Sequence, residues 1–240
     1  MKKAIVVIPT YNEKSNISKL VKEINLLNLD VLVVDDNSED GTSKIVENLP
    51  SFKVNLFLIK RPQKLGLGSA YRDGFTWSIK NGYKYIIQMD ADLSHSVNDL
   101  KKMLNFKETH GLVIGSRYVT GGKISGWSKK RYWLSVIANK YSKFLTFSYI
   151  NDMTSGFRIY SLDSLKKINY LKTKSNGYAF QIEMTIKALN SEISIIEVPI
   201  CFNERKAGKS KMSYLIIFEA IINVFKFSFM RLRYILFHKY

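Results

Sequence analysis

Residues 83–95 read YKYIIQMDADLSH. An apolar run of strand character ends in two carboxylates, Asp90 and Asp92, with one alanine between them. Acids two residues apart on an extended stretch can point the same way and repel. Such a pair has three common uses: ligation of a hard divalent cation, general acid–base chemistry, or capping of a following helix. Here the bland use is Asp92 capping a helix that begins near Val97. A cation such as Mg²⁺ or Mn²⁺ takes oxygen ligands and shares them with substrate phosphates, which relieves the repulsion.

The same pattern, an apolar run closed by polar residues, recurs along the first half of the chain. AIVVIP (4–9) leads into PTYNE, DVLVVDD (30–36) into NSEDGT, and VNLFLIK (54–60) and HGLVIGSR (110–117) repeat the apolar run. Between them lie stretches with helical spacing: 15–27 with Ser15 at its start, 38–49 capped near Asp40, and 66–79. Strands alternating with helices predict an α/β fold, a mainly parallel Rossmann-like sheet with helices on both faces. Near-continuous apolar strands suit a sheet covered on both sides. Ligands of such sheets bind outside the C-terminal strand ends, where these polar clusters converge. The N-terminal lysines mimic a signal peptide, but the apolar run reaches only Ile8 before Pro9 and reads as a first strand.

The chain has 240 residues, 46% of them hydrophobic, enough for one domain with appendages. A single cysteine, Cys201, rules out an intramolecular disulfide and reads as a core residue. Net charge is +17, from 37 basic and 20 acidic residues. No acid lies between Glu108 and Asp152, so the second half carries the affinity for polyanions, whether nucleic acid, anionic lipid or phosphorylated substrate.

After residue 117 come a Gly-rich basic loop, an aromatic amphipathic stretch at 132–150, a strand at 194–199, and SYLIIFEAIINVFKFSFMRLRYILF at 213–237. A spanning helix wants about 20 consecutive apolar residues. Here Glu219, Asn223, Lys226, Arg231 and Arg233 interrupt, the first three on one helical face. The pattern predicts a helix lying in a membrane interface, with packing on the protein's own core or docking of a partner subunit as the alternatives. Basic residues interleaved with long aliphatic side chains suit a bilayer better than a nucleic-acid groove.

PTYNE, VVDDNSEDGT, LGLGSAYRDG, MDADLSH, IGSRY, DMTSGFR, FQIEM and RKAGKSKMS, in this order over residues 4–213, resemble the dolichyl-phosphate (polyprenyl-phosphate) mannose synthases. These are family-2 glycosyltransferases of GT-A fold. The resemblance implies inverting transfer of mannose from GDP-mannose to a polyprenyl phosphate. It implies donor contacts from Pro9, Tyr11, Glu13, Val34, Asp36, Asp90, Ala91, Asp92, Arg117, Arg205 and Lys211, with Asp92 and Arg117 as catalytic residues. It implies a Mg²⁺ or Mn²⁺ site from Asp90, Asp92 and Ser94, where some relatives have Gln in place of Ser94. Arg117, Arg158 and Lys211 are the implied acceptor-phosphate contacts; a salt bridge to Asp152 is the alternative for Arg158. Glu183 falls where a catalytic base sits in enzymes with sugar-hydroxyl acceptors, and here a positioning role is expected, since a phosphate nucleophile is already anionic. His95 is expected to pack or to hydrogen-bond its loop, and the glycines of 65–74 to let a helix approach the sheet, with Asp73 facing the donor.

The implied organisation is a catalytic domain over 1–212, including an interface helix at about 128–150, and an amphipathic membrane-interface region over 213–240. Many relatives carry transmembrane helices beyond this point. This chain resembles the class that sits peripherally on the cytoplasmic face of a membrane, alone or on a small membrane-anchor subunit. Rival readings are a UDP-sugar (glucose or N-acetylhexosamine) transferase acting on the same lipid, and a non-catalytic polyanion-binding scaffold.

Overall fold

The computed structural model describes residues 2–205 and 214–238. The first half alternates as expected: β1 (Lys2–Thr10), α1 (Ile17–Asn25), β2 (Asp30–Asp35), α2 (Thr42–Glu47), β3 (Leu56–Lys60), α3 (Leu67–Lys80), β4 (Tyr83–Gln88), α4 (Val97–Leu104) and β5 (Leu112–Ser116). Then follow β6 (Lys123–Ser125), α5 (Lys129–Leu145), β7 (Arg158–Ser161), α6 (Leu162–Ile168), α7 (Gly177–Asn190), β8 (Ile195–Pro199), β9 (Cys201–Asn203) and α8 (Tyr214–His238).

Seven strands form one sheet in the order β3-β2-β1-β4-β7-β5-β8. All neighbours are parallel except β7, which runs antiparallel between β4 and β5. β6 and β9 pair in a separate two-stranded sheet. β7 has only four residues and starts with an arginine, so it shows none of the apolar signature of its neighbours. Alternation along β1 splits the core: Ile5 and Val7 face α3 and α7, while Ala4, Val6 and Ile8 face α1 and α4. Helices therefore cover both faces.

Several ends differ from the sequence reading. Asn16, not Ser15, precedes α1. Asp40 does meet the start of α2, accepting from Thr42 N at 2.9 Å. Burial raises its pKa, but bonds from Thr42 and Lys14 outweigh that and hold the carboxyl below its usual value. α4 is capped by Ser96, whose hydroxyl accepts from Asn98 N at 3.2 Å, which releases Asp92 from the capping role. α5 ends at Leu145 rather than 150, because Phe147 turns into the left-handed region (φ 50°) and Ser148 N–H returns to Lys143 O at 3.0 Å. Cys201 is half-buried on β9 rather than in the core.

Gly74 shows why the glycines of 65–74 matter. A Cβ there would stand 2.4 Å from Val7 Cγ1, so α3 can lie against β1 only without a side chain. Gly74→Ala is expected to cost about 1–3 kcal/mol through overpacking, read as a loss of several degrees in thermal melting.

Candidate active site

The C-terminal ends of β1 and β2 are level, with Thr10 opposite Asp35. Asp35 ties the two following loops together. It accepts Thr10 Oγ1 and Ser38 Oγ, each at 2.6 Å, Ser43 Oγ at 2.7 Å and Ser38 N at 3.0 Å. Asn12, in the left-handed region (φ 59°), adds a latch: its N–H donates to Ser38 Oγ at 2.9 Å and its Oδ1 accepts Glu39 N. The sequence reading passed over Asp35, although a doubled aspartate at a strand end was the available signal.

This latch presents Pro9, Tyr11 and Glu13 along a half-open rim. Lys64 Nζ lies 4.0 Å from the Tyr11 ring centroid. Asp36 is buried, bonded to the Arg61 guanidinium and to Gly66 N at 3.1 Å. Arg61 Nε also meets Asp73 at 3.1 Å, so Asp73 faces this arginine. Val34 differs from expectation: it has no accessible surface, because its side chain points into the core of β2 against α3. The adjoining loop is set by Glu183, whose carboxylate accepts Lys174 N and Ser175 N at 3.0–3.3 Å. Its oxygens accept main-chain amides, so Glu183 positions residues 174–175.

At the end of β4, Asp90 has 34% of its side chain open. Its N–H donates to His95 Nδ1 at 3.2 Å. The imidazole stacks on Phe157 with centroids 4.6 Å apart. Burial lowers the His95 pKa, so it is neutral with its proton on Nε2, 3.9 Å from Asp90 Oδ2. Burial raises the Asp90 pKa, with the nearby positive field of Arg205 and Arg117 opposing the rise. Asp92 Oδ1 accepts Ser94 N at 3.1 Å across Leu93 (φ 61°), and Oδ2 meets Arg205 Nε at 2.7 Å. Ala91 is buried between the two acids.

Ser94 has no accessible surface; its amide holds Asp92, and its buried hydroxyl has no hydrogen-bond partner in the protein. No group of three or more His, Cys, Asp or Glu side chains suited to a metal occurs among the described residues. Two carboxylates on one loop still fit a Mg²⁺ or Mn²⁺ that completes its shell with diphosphate oxygens and water.

Arg117 follows β5 and is almost wholly buried. It forms a forked pair with Asp152, Nε to Oδ2 at 2.7 Å and Nη2 to Oδ1 at 2.6 Å, and Nη2 reaches Thr154 Oγ1 at 2.8 Å. Glu197 fixes the loop from behind by accepting Asn151 N and Asp152 N. The Asp152 bridge thus belongs to Arg117. Arg158 fits neither of its expected roles. It is 0% exposed on β7 and bonds Ser155 O at 2.7 Å, Met153 O at 3.2 Å and Tyr160 Oη at 3.3 Å, which leaves no route for an acceptor phosphate. Lys211 lies outside the described residues.

A cavity of about 330 Å³ opens at this edge. Asp90, Arg117, Arg131 and Arg205 line its polar end. It then runs between α5, α7 and α8, where Leu134, Ile137, Ala138, Tyr141, Ile182 and Val224 make an apolar wall. α8 packs one face inward through Val224 and Phe227, with Ser228 Oγ bonding Leu145 O at 2.6 Å and Arg231 bonding Asn190 at 2.8 Å. Its other face remains open at Phe225, Phe229, Leu232 and Leu236. The alternative of packing on the protein's own core therefore describes one side of this helix.

Strand ends that bring a carboxylate pair and arginines to one edge suit a ligand rich in phosphate. The chain belongs to glycosyl transferase family 2, whose family model matches residues 5–169. It is similar to the polyprenol monophosphomannose synthase of Mycolicibacterium smegmatis, 41% identical over 92% of this chain and 85% of that protein. It is also similar to the undecaprenyl-phosphate mannosyltransferase of Micrococcus luteus, 38% identical over 92% of each chain. Among solved structures, glucosyl-3-phosphoglycerate synthase from Mycobacterium tuberculosis in complex with phosphoglyceric acid shares the fold (TM-score 0.70, 16% identity, 95% of this chain and 80% of that one). So does a mannosyltransferase from Pyrobaculum calidifontis in complex with GDP-Man and Mn²⁺ (TM-score 0.57, 15% identity, 97% and 74%).

Proposed function

We propose that this protein is an inverting glycosyltransferase that moves mannose from GDP-mannose to a polyprenyl phosphate at a membrane surface, giving polyprenyl-phosphate mannose and GDP. The observation that carries the acceptor assignment is the cavity: a polar end lined by Arg117, Arg131 and Arg205 beside Asp90 continues into an apolar groove between α5, α7 and α8. That is the shape and polarity of a phosphate head on a hydrocarbon tail. The functions named for the two curated relatives support the same reading.

In this reading Pro9, Tyr11, Glu13 and Asp36 border the nucleoside, while Asp90, Ala91 and Asp92 border the diphosphate. Arg205 and Lys211 serve the donor phosphates, and Arg117 and Lys211 the acceptor phosphate. A Mg²⁺ or Mn²⁺ held by Asp90 and Asp92 would neutralise the leaving diphosphate. Asp92 and Arg205 already face each other, so the site is preorganised for dense negative charge. An acceptor phosphate oxygen attacks the anomeric carbon as the bond to the diphosphate oxygen breaks. That oxygen is already anionic, which agrees with Glu183 being bound to amides. The test is transfer of label from GDP-mannose, with Mn²⁺, to a short polyprenyl phosphate extracted into organic solvent. Transfer from UDP-glucose in its place would overturn the donor assignment.

The membrane contact falls to α5 and α8. Trp133, Ile137, Phe144 (79% exposed), Phe147 and Phe229 (74% exposed) are open to solvent beside Lys140, Lys143 and Arg233. Among the described residues no helix is long and apolar enough to cross a membrane. The exposed aromatic side chains support peripheral binding, which we assign to the cytoplasmic face, with residues 1–212 as the catalytic domain and the C-terminal helix as part of the docking surface. Phe144→Glu with Phe229→Glu is expected to lower sedimentation with anionic vesicles at least about tenfold, since each change removes a large buried-on-docking apolar group. GDP-mannose binding should be unchanged. Undiminished sedimentation would overturn this surface.

A further inference from the structure

We infer that Gly156 and Gln181, together with Asp90, form a notch that binds a hydroxyl of the transferred sugar. This rests on the donor reading above and extends it to two residues, Gly156 of DMTSGFR and Gln181 of FQIEM, to which the resemblance assigns no role. Gly156 lines the cavity beside Asp90. The place where its Cβ would stand is bordered by Asp90 Oδ1 at 3.5 Å, Asp90 Oδ2 at 3.6 Å and Gln181 Nε2 at 3.6 Å. Gln181 is only 2% exposed, yet neither Oε1 nor Nε2 has a hydrogen-bond partner in the protein. A buried amide left unpaired costs stability, and the place of its Nε2 behind Gly156, which lines the cavity, points to a ligand that accepts from it.

The chemistry of the notch suits one group. A hydroxyl placed there donates to the Asp90 carboxylate and accepts from the Gln181 amide, so both of its capacities are used. The sugar of a bound nucleotide sugar lies next to its diphosphate, and Asp90 and Asp92 border that diphosphate. The notch is thus on the path of the hexose and away from the base. A site that hydrogen-bonds a substrate hydroxyl discriminates strongly against analogues that leave its polar groups unpaired.

The test is calorimetric titration of GDP and of GDP-mannose, each with Mn²⁺, into wild type, Gly156→Ala and Gln181→Met. The alanine Cβ meets its neighbours at ordinary contact distance, and Gly156 needs no left-handed backbone, so this variant should melt with wild type. Methionine conserves volume and removes an unpaired amide, so Gln181→Met should melt slightly higher. Both variants should bind GDP within about twofold of wild type and GDP-mannose about tenfold more weakly, the size of one lost hydrogen bond. Equal losses for the two ligands, or none for either, overturn the notch; the second result would mean that a water alone occupies it. Failure of the donor reading looks different. Wild type then binds UDP-glucose and not GDP-mannose, and the notch stands if the variants weaken UDP-glucose but spare UDP, and falls if they do not.

Discussion

Asp92→Asn is expected to lower transfer from GDP-mannose by at least about 1,000-fold, the scale on which removal of a preorganised charge-stabilising group acts. The residue sits where three interactions meet. Its Oδ1 holds the loop through Ser94 N, its Oδ2 holds Arg205, and with Asp90 it supplies the carboxylate pair suited to a divalent cation. Asparagine keeps the Oδ1 acceptor and the shape, so the loop stays in place. It removes the charge that orients Arg205 and attracts the cation. Arg205 retains partial exposure, so the lost pair costs the fold little. Turnover across a Mn²⁺ titration, beside a thermal melt, checks this: the melt should hold while turnover collapses and stays low at high Mn²⁺. Wild-type turnover in this variant would sink the cation assignment.

Asp152→Ala should act on the fold as well as the chemistry. Asp152 is fully buried and accepts from Arg117 N, Nε and Nη2. Breaking a buried pair by removing one partner typically costs about 3–5 kcal/mol, because a charge is left uncompensated. At about 2–4 °C per kcal/mol for a chain of this size, the melting temperature should fall by roughly 10 °C. The double change Arg117→Met with Asp152→Leu removes both charges and should recover most of that loss, yet remain inactive. Recovered activity in the double variant would show that Arg117 has only a structural part.

Much of this architecture was legible in the sequence because parallel strands buried on both faces must be apolar throughout. The strands at 4–9, 30–36, 54–60, 83–90, 110–117 and 194–199 all appear in the sheet, each shifted by no more than a few residues. β7 was not legible. Its Arg158 is satisfied by carbonyls supplied by residues 153 and 155, and no periodicity in four residues reports such partners. The polar clusters after β1, β2 and β4 were legible as a convergent edge, since the parallel topology places strand ends together. Which arginine pairs with Asp152 was not, because both Arg117 and Arg158 stand at strand ends near it in sequence or space.

The sequence by itself determined the alternation of strands and helices, the edge on which the site lies, and the family, because these depend on local hydrophobic pattern and on motifs in order. Only the tertiary structure decided how side chains at that edge are used. It turned Val34 into the core, seated Ser94 beneath Asp92 and set Glu183 on two backbone amides. It left Gln181 without a protein partner. The physical reason is that a buried polar group is defined by the partner it meets, and that partner comes from another element of the chain.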